Sequence, residues 1–564
     1  MSKEQGSESA VSGSEFIKEE EMAEEKEAPK KVSRREFVKG AAAVAGAGAL
    51  ASCAPAATPT TAPEAAPTCP PAPTCPPAEE CAPCPTPWLP EKWDEEADVV
   101  VLGAGLAGLS AAIEAADAGG SVVLLEKMSS VTDSHSTRCV GNIAGSGSRL
   151  QAAAGWIETP DEMYEDLLAQ GAMNSRLMPR ELLRILADDA GKSIDWLEDL
   201  GVPFEYVCWR PPDTTPRAHL TEGDAQPFGT VLAAAANERG VEILLDTRAM
   251  ELYRWADGSI AGVRAETKDG NSVTYRAKRA VVLSTGDYAG SAEMKAKYTS
   301  DYEDAAAPTA GNPGNTGDGF ILAWAVGADS TCLDSIGGPS GLYMLPDMPR
   351  GTGISNYLME AGAIIVNEDG KRFQSEATSI GGDAVYEQPS EVAFVVFDSV
   401  AATTDIVPEG GPTGRGPWIC TARYLDHWRE YPGSVKEADT IEELAGELGV
   451  SASGLAETVN KYNSYVATGA DLDFERTPLG PGVKEPPFFG LGPGKPMMVL
   501  SSGTLMINNN HQVLDVFGEV IRRLYAAGDM GKSGMVVGHG THMAWACVSG
   551  RRSGQFAAGE SPIA

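Results

Sequence analysis

The sequence predicts an α/β fold, a largely parallel sheet with helices on its faces, and three stretches predict it. Residues 97–126 read ADVVVLGAGLAGLSAAIEAADAGGSVVLLE: an apolar strand, a glycine turn, a helix and a second apolar strand. Apolar runs bounded by turn residues recur at Val241 to Asp246, Gly258 to Glu266 and Ser272 to Leu283. Near the C-terminus, Arg523 to Asp529 reads as a strand running into Gly-Asp, and a glycine-rich loop then opens a final helix.

The chain has 564 residues, room for about three or four domains on length alone. Hydrophobic residues at 43% and charged ones at 22% are ordinary for a globular protein. The formal net charge of −35 argues against nucleic acid and anionic membrane surfaces as partners.

In chain order, Met1 to Ala28 is acidic and almost without periodicity, the composition of a disordered segment. Ser33-Arg34-Arg35-Glu36-Phe37-Val38-Lys39 precedes an Ala/Gly run from Gly40 to Ala51. Paired arginines ahead of such a run resemble a twin-arginine export signal, against the plainer reading of a charged surface pair. The run is too short, and its side chains too small, for a stable membrane span. Leu50-Ala51-Ser52-Cys53 closes it and resembles a bacterial lipobox, so a lipid at Cys53 is the expected membrane attachment. The expected location is the outer face of the cytoplasmic membrane, or the periplasm.

Residues 54–93 are dominated by Pro, Ala and Thr, as in a semi-rigid tether, and carry Cys69, Cys75, Cys81 and Cys84. Outside the cell these four suit disulfides or inter-chain links better than a metal site, which would lack a nearby histidine. Pro85 follows the C-x-x-C where a haem site needs histidine. Cys139, Cys208, Cys332, Cys420 and Cys547 stand singly, the pattern of buried thiols. No metal site is expected.

Within residues 97–126, Gly103, Gly105 and Gly108 spell G-x-G-x-x-G between strand and helix, with Glu126 about 20 residues on. Gly103 permits the tight turn, Gly105 admits a pyrophosphate, and Gly108 lets the helix pack on the strand. The helix N-terminus faces the anion, and Glu126 can accept from a ribose. Strand, turn, helix, strand and acid in this order make a dinucleotide site. Beyond it, Asp161 to Gly201 and Thr230 to Glu238 read as helices. Gly337 to Met348 reads as a loop and Ala363 to Val366 as a strand. Glu437 to Thr468 reads as two helices separated by Gly449-Val450-Ser451.

Four patches in order then resemble the flavoprotein subunit of fumarate reductases and their relatives, FAD-binding family 2, which includes urocanate reductase and 3-ketosteroid dehydrogenases. They are GAGLAGLSAAIEAADAG…LLEK, STGDYAG with GNTGDG, GKRFQSEATS, and LYAAGDMGKSG with the terminal helix. The resemblance covers about Ala97 to Ala558. It implies a Rossmann-like FAD-binding domain, residues 94–336 and 499–564, with an inserted α+β capping domain over 337–498. It implies that Gly103, Gly105, Leu106, Ala107 and Gly108 hold the pyrophosphate, and Glu126 and Lys127 the adenosine ribose. Ser136, Thr137, Gly141 and Asn142 would line the flavin and ribityl side, and Ala249 would meet the adenine. Thr285, Gly286 and Asp529 would hold the remaining phosphate and ribityl positions, with His542 and Met543 at the flavin's pyrimidine edge. His135 is the histidine near the flavin loop that a covalent link would need.

The fumarate-reducing pattern has an arginine a few residues past R-F-x-x-E, where this chain has Ile380 after Arg372-Phe373-Gln374-Ser375-Glu376. Leu500 and Val537 fall where the family places a carboxylate-binding histidine and arginine. A dicarboxylate needs charge-assisted donors, which these positions lack. The expected enzyme is therefore an exported FAD-dependent oxidoreductase passing hydride to an activated C=C bond of an enone or aryl acrylate, with Tyr343 and then Tyr386 as catalytic candidates. A half-buried structural tyrosine is the competing reading of each, and a loop histidine bonded to backbone that of His539 and His542. The alternatives are a dehydrogenase of steroid-like ketones passing electrons to a quinone, or a non-catalytic flavin shuttle. The expected partners are a small organic electron acceptor and a separate electron donor, a cytochrome or quinol-linked protein.

Overall fold

The computed structural model describes residues 89–139, 141–172, 179–208, 213–221, 225–299, 312–334, 336–337, 342–344, 357–377, 382–403, 425, 429, 433–496, 500–535 and 540–563. The expected export signal, Cys53, the four tether cysteines, Ile380, Cys420, Val537 and His539 lie outside the described residues.

An unbroken apolar run suits a strand covered on both faces, and β1 (Glu95–Leu102) is one, with Val99 to Leu102 all buried. The chain turns at Gly103, forms α1 (Leu106–Asp117) and returns as β2 (Val122–Leu125), which pairs in parallel with β1. β3 (Asn142–Ala144), β4 (Phe204–Cys208) and β5 (Ala218–Thr221) make a small antiparallel sheet that apolar patterning does not announce. Between β3 and β4 the expected helices are Pro160–Ala172 and Arg180–Asp199. α2 (Pro227–Glu238) starts before the expected Thr230, because proline suits the first turn of a helix.

Next come β6 (Glu242–Leu244), β7 (Thr247–Arg254), β8 (Ile260–Thr267) and β9 (Ser272–Leu283). The reading of 241–283 misses β7. After α3 (Asp318–Ala325), a second sheet is built from β10 (Leu342–Met344), β11 (Ile364–Val366), β12 (Ala393–Asp398), β13 (Val435–Ala438) and β14 (Phe488–Pro496). Its order is β10–β14–β12–β11, with β13 also on β14, and every pairing is antiparallel. Part of the stretch expected as a loop over Gly337 to Met348 is therefore strand. Leu342 to Met344 pair with Gly494 to Pro496, a partner too far along the chain for local composition to reveal. Alternate residues of this sheet sort into two cores, Ile365, Val395 and Phe397 on one face and Ile364, Val366 and Val396 on the other.

The second core is covered by α4 (Ile441–Leu448) and α5 (Ala452–Thr468). Glu437 and Ala438, expected in the first helix, belong to β13 instead. The Thr440 hydroxyl accepts the Glu443 N–H at 3.2 Å and so caps α4 after them.

β15 (Gln512–Leu514), β16 (Val520–Ala526) and α6 (Thr541–Gly559) return to the first sheet. Its eight strands include the path β15–β16–β9–β1–β2–β6, with β8 also on β9 and β7 on β8. Leu524 to Ala526 lie parallel to Val281 to Leu283, which lie parallel to Val100 to Leu102. The C-terminal ends of β1, β9 and β16 therefore emerge side by side. α6 packs on α1 at close range: a Cβ on Gly550 would stand 2.2 Å from the Ala107 carbonyl oxygen, and one on Gly554 2.2 Å from that of Ala111. Among the described residues, no helix is long and apolar enough to cross a membrane.

Candidate active site

Parallel α/β sheets bind ligands beyond the carboxyl ends of their strands, and there the ends of β1, β9 and β16 border a cleft.

The first wall is the glycine turn. Gly103 has φ +101°, and a Cβ there would stand 2.6 Å from the Ser284 carbonyl oxygen. At Gly108 a Cβ would stand 1.8 Å from the Gly103 oxygen, so Gly108 packs behind the turn and does not line the cleft. Gly105 caps α1 with no side-chain hydrogen bond, and the Leu106 N–H donates to Ser136 Oγ at 3.2 Å. The first turn of this helix thus presents backbone N–H groups and a partial positive charge toward an anion.

Glu126, at the end of β2, forms the second wall. Its carboxylate accepts the N–H groups of Ala104 and Met128, each at 2.7 Å, and burial raises its pKa against their pull. Two accepted bonds leave lone pairs for a ribose hydroxyl. Lys127 Nζ donates to Thr316 Oγ1 at 2.6 Å and Asp318 Oδ2 at 3.0 Å. Arg248 grips the same carboxylate with Nε at 3.0 Å and Nη2 at 2.8 Å. Burial works against the charge of Asp318, yet Arg248 and Lys127 hold its pKa below the ordinary value. Ala249, on β7, lines the cleft beside Arg248.

Ser134, His135 and Ser136 line the far end with Thr285, Gly286, Asn315 and Asp529. Asn315 Nδ2 donates to Asp287 Oδ1 at 2.7 Å and lies 3.5 Å from His135 Nδ1. Burial raises the pKa of Asp287, which is fully enclosed. Asp529 is the opposite case: burial works to raise its pKa, but Lys532, His542 and His135 together hold it far below the carboxylate range.

FAD fits these walls. The uncapped helix offers donors to a pyrophosphate and Glu126 offers an acceptor to a ribose. Thr285 Oγ1, buried without a partner among the described residues, has a place for a polar ligand atom. Of the residues expected at the cofactor, Gly103, Gly105, Leu106, Ala107, Glu126, Lys127, Ser136, Ala249, Thr285, Gly286 and Asp529 share this cleft. Besides Gly108, five more lie off its wall. Thr137 turns its hydroxyl to the Thr132 and Ser134 carbonyls, at 2.7 and 2.9 Å. Gly141 accepts the Thr221 N–H through its carbonyl at 3.0 Å, and Asn142 faces Gly540. His542 places Nδ1 3.4 Å from Asp529 Oδ1, and Met543 is half-buried against the main core. Arg248, Asn315 and Asp318 are not among the expected residues, although the last two lie in the GNTGDG patch that carries the resemblance.

Of the residues expected on the substrate side, Tyr343 sits on β10 opposite Lys495 of β14. Tyr386 ends the short helix Gly382–Tyr386, is half-buried and does not line the cleft. Leu500 is buried, and its backbone pairs with Gly337. Among the described residues no group of ligands could hold a metal ion. Cys208 and Cys547 are buried as expected, whereas Cys139 and Cys332 are half-exposed. Burial pushes the Cys547 thiol up to about 12.

The profile of the FAD binding domain family matches residues 98–540. A vinyl phenol reductase of Lactiplantibacillus plantarum is 31% identical over 82% of this chain and 96% of its own. A probable fumarate reductase of Shewanella frigidimarina is 29% identical over 82% of this chain and 75% of its own. The solved open conformation of a flavocytochrome c3 fumarate reductase superposes with a TM-score of 0.68 at 28% identity, covering 83% of this chain and 79% of that one.

Proposed function

Because the chain belongs to the FAD-binding flavoprotein family whose profile it matches, we propose that it reduces a C=C bond conjugated to a ketone or an aromatic group, and not that of fumarate. The cofactor is FAD, and the protein is an oxidoreductase of the kind that acts on C=C bonds. FAD, when bound, supplies the hydride. The chain must then orient the acceptor, exclude water, polarise the activating group and deliver one proton.

What supports this reading is that Ile380, Leu500 and Val537 stand where the resemblance places charged substrate-side residues. Leu500 is buried, so an apolar group there neither pairs with a carboxylate nor admits water to solvate one. The vinyl phenol named for one relative carries no carboxylate, in keeping with such a site. Tyr343 is proposed as proton donor or polarising group, with Tyr386 second. We also propose export by the twin-arginine route and anchoring at Cys53, with electrons delivered by a separate cytochrome or quinol-linked protein.

The test is anaerobic. The purified flavoprotein is reduced chemically and its reoxidation followed against fumarate, urocanate, aryl acrylates, and steroid and simple enones. Fast reoxidation by an enone or aryl acrylate with fumarate inert is the expected result, and Tyr343→Phe should slow it while flavin stays bound. Fast reoxidation by fumarate would overturn the assignment of Ile380, Leu500 and Val537 to the acceptor site.

A further inference from the structure

We propose that Lys532 is a positioning residue for the FAD site: a buried ammonium that holds Asp529 in place and compensates its charge, and so sets how strongly the protein favours reduced flavin.

The lysine is fixed at both ends. Its side chain is only 1% exposed, and Nζ lies 3.0 Å from Asp529 Oδ1. Its backbone N–H donates to Thr504 Oγ1 at 2.8 Å, and the same hydroxyl donates to the Met530 carbonyl at 3.1 Å. The Asp529 carboxylate lines the cleft where the resemblance places the ribityl chain. His542 stands 3.4 Å from it, while His135 and Asp287 act on it from farther away. Asp287, the other carboxyl group acting on Asp529, adds no positive charge. Among the described residues, Lys532 is the one lysine or arginine within ion-pair distance of Asp529.

Burying an ammonium is costly unless a carboxylate answers it, so the two charges hold each other. Reduction adds negative charge to the flavin, which an uncompensated carboxylate nearby opposes and a compensated one does not. Removing the lysine should therefore disfavour reduced flavin, and removing the aspartate charge alone should favour it.

The experiment compares FAD-loaded wild type with Lys532→Met, Lys532→Arg, Asp529→Asn and the double variant Lys532→Met/Asp529→Asn. The readouts are the flavin reduction potential and the rate of FAD release. Lys532→Met should lower the two-electron reduction equilibrium about tenfold, about 30 mV, and speed FAD release. Asp529→Asn should raise the equilibrium, Lys532→Arg should stay near wild type, and the double variant should lie closer to wild type than Lys532→Met. An unchanged potential in loaded Lys532→Met, or a double variant no closer to wild type, overturns the proposal in favour of a packing role. If Lys532→Met does not fold, Asp529→Asn decides alone, since an unchanged or lowered potential there overturns it equally.

Discussion

His511 shows what a single buried group does to stability. Its ring is fully enclosed and lies against Trp545, with centroids 5.4 Å apart. Arg552 Nε, which can only donate, stands 3.3 Å from Nε2, so the ring proton belongs on Nδ1, an atom with no partner among the described residues. Burial, aided by Arg552, lowers its pKa to about 3, and burial lowers that of His219 to about 4. An unfolded histidine takes up its proton near pH 6.5 and these folded ones do so only well below. The stability they permit is thus full above about 6.5, falls as the pH drops, and levels off near the folded values. Replacing His511 by Phe should flatten the loss between pH 6 and 4 by up to about 1.4 kcal/mol per pH unit, the contribution of one proton. Denaturant unfolding across that range measures it, and an unchanged slope would place His511 in water. No sequence pattern marked His511, because burial of a loop histidine depends on a helix that follows it in the chain.

At the scale of elements, the contact between α1 and α6 ties the cofactor site to the C-terminus. Gly550 and Gly554, four apart, share one face of α6, which lets it settle onto the Ala107 and Ala111 carbonyls. Gly554→Ala tests the contact because two effects oppose. Alanine favours a helix interior over glycine by about 1 kcal/mol. The new methyl, however, would stand 2.2 Å from backbone oxygen, and forced overpacking costs about 1–3 kcal/mol. The clash is expected to win, lowering the thermal midpoint and loosening FAD, because α1 carries the phosphate-facing turn. A raised midpoint would mean that the helices part freely. The βαβ unit was legible because its strand pairing is local and each strand carries an unbroken apolar run, Val99 to Leu102 and Val122 to Leu125. β10 and β7 were not, since β10 takes its partner from β14 and β7 alternates too weakly to mark a face.

At the scale of the whole molecule, the N-terminal segment bears on where the protein resides. The Arg34-Arg35 run and Cys53 predict export and a lipid anchor. Full-length protein should partition with membranes, and Cys53→Ala should release it to the soluble fraction with its flavin intact; equal partitioning of both would discard the anchor. The sequence by itself determined the dinucleotide turn, the acid after it and the order of motifs that identifies a flavoprotein, because glycine spacing and apolar runs act over about 30 residues. The resemblance it carries adds the expectation that Ile380, Leu500 and Val537 stand where the family has charged substrate-side residues. Only the tertiary structure decided that Arg248 and Lys127 share Asp318, that Asn315 links His135 to Asp287, and that Lys532 lies buried against Asp529. Those pairings join stretches far apart in the chain or depend on burial, and a charged residue's partner and exposure are properties of packing that its neighbours in sequence do not encode.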